Sequence, residues 1–247
     1  MTTYLLVHGA WHGGWCWDRV RPILEAAGHD VLTPSLAGLG EHSHLIVPDI
    51  GLGTHVRDIE DLVRSRDLRD FVLCGHSYGG MVVTALADRM PDRIRALVYV
   101  DAFLPEEGEN VVGLTPADRR RRLYTSARAL GDGWRVPPIP AEAFGLDPDD
   151  CGWVNARCTP QPLATLEEPV RLAGGLARLR DVTYVAAEAP HDMAIFGPFR
   201  DRARARGWAV RGVTCGHEIM LDRPRELAQI LLDLLPAGTT PVSVRLR

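Results

Sequence analysis

At 247 residues, 46% of them hydrophobic, the chain is long enough to bury one large core, and α/β domains of this size are commonly single units. Its 28 basic and 32 acidic residues leave a formal net charge of -4, which gives no electrostatic case for nucleic acid or an anionic membrane and points to a small-molecule partner. No stretch reaches the roughly 18 apolar residues of a membrane helix, no charged leader precedes MTTYLLVHG, and Cys16, Cys74, Cys151, Cys158 and Cys215 fit neither a disulfide framework nor a zinc site, so a cytoplasmic protein with free thiols is expected.

Tyr4-Leu5-Leu6-Val7, an unbroken apolar run, predicts a fully buried strand. It leads into His8-Gly9-Ala10-Trp11-His12-Gly13-Gly14-Trp15-Cys16-Trp17. The spacing of Val20, Ile23, Leu24 and Ala27 predicts a helix that stops at Gly28. His29 to Pro34 predicts a second strand, and Thr54 is expected to cap a helix with Val56, Ile59, Leu62 and Val63 on one face. A strand from Phe71 to Cys74 breaks at Gly75-His76-Ser77-Tyr78-Gly79-Gly80, a helix-compatible segment covers Met81 to Met90, and Ile94 to Val100 forms a further strand that runs into Asp101. This alternation argues a parallel sheet with right-handed crossovers.

From Pro105 to about Gly175 the pattern changes to a proline-rich segment with Trp134, Trp153, the run Asp118 to Arg122 and no obvious strand. It reads as a helical cap inserted over the strand ends, with Arg119 to Arg122 as a solvated helix face. Alternation resumes with a strand from Val182 to Ala187, a helix from Phe199 to Arg206, a strand from Trp208 to Thr214, the loop Cys215-Gly216-His217-Glu218 and a closing helix from Pro224 to Leu235. The expected organisation is a core of residues 1–104 and 176–236, a cap of 105–175 and a surface tail of 237–247.

The chemistry gathers at Ser77. In Gly75-His76-Ser77-Tyr78-Gly79 the spacing is G-x-S-x-G between a buried strand and a helix, a sharp turn that lifts the serine hydroxyl above the strand end and aims the first helical N–H groups at its target. Serine needs a base that a third group holds in place. His217 is the best base of nine histidines, because it follows the last strand and completes the chain order nucleophile, acid, base. Asp101 is the favoured acid, since it comes directly off a strand, with Glu188 and Asp192 as alternatives after the next one. The amides of Tyr78 and Ala10 are the expected oxyanion donors, and Trp11, His12, Trp134, Trp153 and Glu218 the expected substrate-binding residues.

Three segments carry a family resemblance: Leu6 to Trp17, Gly75 to Met81, and Gly216-His217. With them the chain resembles the α/β-hydrolase superfamily, in the branch that holds plant methylesterases, hydroxynitrile lyases and related bacterial esterases. The resemblance implies a six-stranded, largely parallel sheet flanked by helices under an inserted helical cap, a Ser-His-Asp triad, no metal and no organic cofactor, and a homodimer is frequent among such proteins. Gly9 stands where the hydroxynitrile lyases have a threonine and Glu218 where they have a lysine, which argues against cyanohydrin cleavage. Pro190 lies near the family's usual acid position, which supports Asp101.

The leading expectation is a serine hydrolase acting on a carboxylic ester, lactone or thioester of a small, mostly apolar substrate. The alternatives are a lyase or cyclase that uses His217 as base on a natural-product intermediate, with cap aromatics holding a flat ligand, and a ligand receptor with vestigial chemistry.

Overall fold

The computed structural model describes residues 1–190 and 195–234. Its strands are β1 (Thr3–Val7), β2 (Asp30–Leu32), β3 (Phe71–His76), β4 (Ile94–Val100), β5 (Arg135–Val136), β6 (Gln161–Pro162), β7 (Val182–Ala187) and β8 (Ala209–Val213). Its helices are α1 (Arg21–Ala26), α2 (Leu52–Ser65), α3 (Gly79–Arg89), α4 (Val111–Leu114), α5 (Ala117–Leu130), α6 (Pro148–Asn155), α7 (Leu163–Glu167), α8 (Gly197–Ala205), α9 (Ile219–Asp222) and α10 (Pro224–Leu232). None of them is long and apolar enough to cross a membrane.

Six strands form one sheet in the order β2-β1-β3-β4-β7-β8, with every pairing parallel. The apolar runs of β1, β3 and β4 are buried almost without interruption, as expected where helices cover both faces. From β1 the chain moves to one side for β2 and then to the other for β3 and onward, so the direction of winding reverses between β1 and β3. The loops leaving two strands on either side of such a reversal diverge and open a crevice at their carboxyl ends. Here those loops begin with His8-Gly9-Ala10 and with Ser77.

The excursion between β4 and β7 contains α4 to α7 and a two-residue antiparallel pair, β5 with β6. That pair is a departure from the strandless segment expected of the sequence, because two residues are too short to show an alternating pattern. The excursion returns to the core over α3. Asp88, buried near its end, accepts from the amides of Ala173 (2.5 Å), Gly174 (3.1 Å) and Leu176 (2.9 Å), and a side chain on Gly175 would collide with the Asp88 carbonyl.

Two local expectations differ from the structure. Thr54 does not cap α2, which begins at Leu52 after an extended Gly51. The closing helix ends at Leu232, and the expected tail lies outside the described residues.

Candidate active site

Ser77 leaves β3 with a left-handed φ of 51°, a conformation that costs energy for any residue with a Cβ and is held by the surrounding bonds. Its N–H donates to the Val100 carbonyl (3.3 Å), and its own carbonyl accepts from Gly80 (3.0 Å) and Phe103 (3.1 Å). The flanking glycines are required by close approach. A Cβ on Gly79 would lie 2.7 Å from the carbonyl oxygens of both Val7 and His8, and one on Gly75 would lie 2.6 Å from Val83 Cγ2. The start of α3 is therefore pressed against the end of β1, which brings Ala10 and Tyr78 to one cavity wall beside Ser77.

Asp101 follows β4 with a φ of 40° and donates its own N–H to the Val185 carbonyl (2.7 Å). This turn buries its carboxylate between β4 and β7, where Oδ1 accepts from Ala187 N (3.3 Å) and Oδ2 lies 2.6 Å from His217 Nδ1. The His217 ring stacks on Phe196 with centroids 4.7 Å apart and planes 8° from parallel, and its backbone N–H donates to the Phe144 carbonyl (2.8 Å). A carboxylate only accepts, so Nδ1 carries hydrogen and Nε2 is the nitrogen left to take a proton. Glu188, the first alternative acid, instead lays its carboxyl over Gly212 on β8. Asp192, the second, lies outside the described residues.

Buried histidines frame this arrangement. His76, one residue before the serine, packs its ring 4.5 Å from that of His217; burial, followed by the neighbouring histidine, holds its pKa well below the usual range. His55 accepts from the Tyr78 hydroxyl at Nδ1 (2.9 Å) and donates from Nε2 to the Ala37 carbonyl (2.9 Å), and burial lowers its pKa to about 4. His76, His217 and Glu218 offer one ligand atom each within 4.8 Å of one another. His217 Nδ1 is already engaged by Asp101 and His76 Nε2 by the His217 carbonyl, so at most one nitrogen of each remains for a metal.

A cavity of about 540 Å³ opens above Ser77. Ala10, Trp11, Tyr78 and Phe103 contribute from the sheet side, while Val111, Leu123, Ile139, Leu166 and Ile195 supply apolar walls. Arg119 and Arg122 also line it, so part of the basic run faces the cavity and does not form the purely solvated helix face expected.

Four of the five expected substrate-binding residues lie elsewhere. Among them, Trp11 alone lines the cavity. His12 is buried behind it, stacked on Trp15 at 5.0 Å, with Nε2 3.4 Å from the fully buried Glu218. Trp134 lies under the Arg135 guanidinium (5.2 Å), and Trp153 meets Arg157 (4.3 Å) and the edge of Trp15 (5.1 Å). Aromatic rings in a cap pack on one another and on arginine stems as readily as on a ligand. The walls that sequence reasoning missed include the Pro137-Pro138-Ile139-Pro140 run, whose stiff apolar composition was a visible signal.

A family model described as "Alpha/beta hydrolase family" matches residues 4–230. The chain is 42% identical over 246 residues to the "Carbendazim hydrolyzing esterase" of Nocardioides sp. (strain SG-4G), covering 95% of this chain and 100% of that one. It is 37% identical over 108 residues to "Salicylic acid-binding protein 2" of Nicotiana tabacum, covering 43% of this chain and 42% of the tobacco protein. An extracellular alpha/beta-hydrolase from a Paenibacillus species superposes with a TM-score of 0.84 at 23% identity, covering 95% of this chain and 99% of the other.

Proposed function

The chain belongs to the alpha/beta hydrolase family and is a hydrolase of esterase type, and from that premise we propose that it cleaves small carboxylic esters with Ser77 as nucleophile, His217 as base and Asp101 as the acid that orients it. Ser77 Oγ attacks the ester carbonyl and passes its proton to His217 Nε2. The imidazolium so formed is stabilised by Asp101 Oδ2, 2.6 Å from Nδ1, and returns the proton to the departing alkoxide. Water then repeats the sequence on the acyl-enzyme. The amides of Ala10 and Tyr78 receive the negative charge on the carbonyl oxygen, and among the described residues neither donates to another backbone or side-chain acceptor.

The observation that carries this reading is the 2.6 Å contact of Asp101 with His217, whose ring packs 4.5 Å from that of His76, the residue next to the left-handed Ser77. A mostly apolar cavity of about 540 Å³ suits a compact ester of one or two rings or a short acyl chain. The relative named for hydrolysing carbendazim makes that compound a first member of the ester panel. Five unpaired cysteines support a reducing, cytoplasmic location.

Intact mass after exposure to a fluorophosphonate tests the nucleophile. Wild type gains one adduct and Ser77→Ala none; equal labelling of the two overturns the reading.

A further inference from the structure

The buried pair behind the cavity has no part in proton transfer at Ser77, yet it is joined to the oxyanion loop by a continuous set of contacts. His12 Nδ1 lies 2.7 Å from the carbonyl oxygen of Ala10. A carbonyl only accepts, so Nδ1 bears hydrogen, and in the neutral ring Nε2 is then an acceptor, to which the Cys158 thiol at 4.0 Å is a long and weak donor. Glu218 Oε1 stands 3.4 Å from that nitrogen, and neither carboxyl oxygen of Glu218 has a hydrogen-bond partner of normal geometry among the described residues. Burial, with Asp222 and Asp101 adding to it, raises the Glu218 carboxyl to about 8, so at neutral pH it carries the proton that Nε2 lacks.

The contact reaches a peptide that is clamped on both sides. Trp11 N, in the same peptide plane as the Ala10 carbonyl, donates to Gln161 Oε1 (3.1 Å), and Trp11 itself has a left-handed φ of 66°. The preceding plane, which contains the Ala10 amide, is held at its Gly9 oxygen by His8 Nδ1 (2.8 Å). His8 is fixed in that tautomer because its Nε2 accepts from Leu36 N (3.0 Å). Freeing the Ala10 carbonyl would leave the Ala10–Trp11 peptide plane held only through Trp11 N, so that it tilts about the Ala10 Cα, and the displacement reaches the Ala10 N–H through that shared Cα, against the hold of His8 on the preceding plane.

We propose that Glu218 and His12 form a proton-sharing brace that fixes the Ala10 peptide, which makes both of them positioning residues for the oxyanion donor. The inference rests on Ala10 being that donor. The residue after the base thus serves the site from behind, through the backbone, and does not touch substrate.

The test is steady-state hydrolysis of p-nitrophenyl butyrate by wild type, Ser77→Ala, Glu218→Leu, Glu218→Gln and His12→Phe, with amide hydrogen exchange over residues 9–12. Displacing one oxyanion donor predicts a kcat about tenfold to a hundredfold lower in Glu218→Leu and His12→Phe, with KM within about twofold. Glu218→Gln recovers most of the lost rate, because its amide can donate to Nε2, and the double variant Glu218→Leu/His12→Phe is no slower than His12→Phe. Exchange over residues 9–12 quickens in His12→Phe. A kcat within twofold of wild type in both single variants, an equal loss in Glu218→Gln, or unchanged exchange in His12→Phe overturns the brace. Should Glu218→Leu not fold, His12→Phe and Glu218→Gln decide between the same outcomes. Hydrolysis that survives in Ser77→Ala is a separate result, which removes the underlying mechanism and leaves the exchange data to judge the brace.

Discussion

Gly9 faces Ser77 so closely that a Cβ on the glycine would lie 2.9 Å from Ser77 Cβ and 2.9 Å from His76 Nδ1. The end of β1 and the elbow after β3 are thus in contact. Gly9→Thr should push Ser77 out of line with its base and lower kcat about a hundredfold, with a reduced melting temperature. Steady-state kinetics and thermal unfolding of the variant check this, and a fully active Gly9→Thr would contradict the packing.

Asp101→Asn keeps a group of the same size against His217 but turns its amide toward Nδ1 as a donor, or leaves the wrong tautomer of the imidazole. A loss of kcat of about 10³-fold to 10⁴-fold is expected at neutral pH, by analogy with the serine-protease triad. Glu188→Gln, which lies over Gly212, should stay within about twofold of wild type. Parallel kinetics on the two variants separate the acids; the reverse ranking would transfer the role to Glu188.

Trp153→Ala should cost stability and spare binding. The ring packs on Trp15 and Arg157 and lines no part of the cavity. A loss of about 1–3 kcal/mol on denaturant unfolding is expected, with KM unchanged. A selective rise in KM would show that the ring reaches substrate.

The acid limb of stability should be visible at His55. Its folded pKa, lowered by burial to about 4, lies below the value of about 6.5 for an unfolded histidine. The unfolded chain therefore binds the proton more readily, and the stabilisation from a neutral His55 is present above about pH 6.5 and lost as the pH falls through 4. His55→Gln, which does not titrate, should be less stable than wild type at pH 7, and the gap should narrow by roughly 3 kcal/mol at pH 4. Urea unfolding at the two pH values measures it, and a gap that widens in acid would refute the buried neutral state.

Much of this site is legible in the chain because its key groups sit where a strand ends. Ser77 and Asp101 each follow a buried apolar run directly, His217 comes four residues after the end of the edge strand β8, and a parallel sheet brings such positions to one edge. Gly75 and Gly79 are legible for the same local reason, since the backbone contacts that forbid a side chain are made within the motif or with the neighbouring strand. The cavity walls are not. Val111, Leu123 and Leu166 come from three different helices of the excursion, and which of their faces turns toward Ser77 depends on tertiary packing that helical spacing does not encode. Glu218 shows the limit most plainly: it adjoins His217 in sequence, yet the turn into α9 sends its side chain behind the cavity wall.

The separation of Asp101 and His217 by 116 residues has a consequence for synthesis. At ordinary elongation rates that length of chain takes on the order of ten seconds to make. For that interval the growing polypeptide carries a serine and a carboxylate but no base to activate one against the other. Under the proposed mechanism, a product broken off inside the excursion lacks the base that activates Ser77, and the nucleophile is complete only in a chain that has reached its last strand.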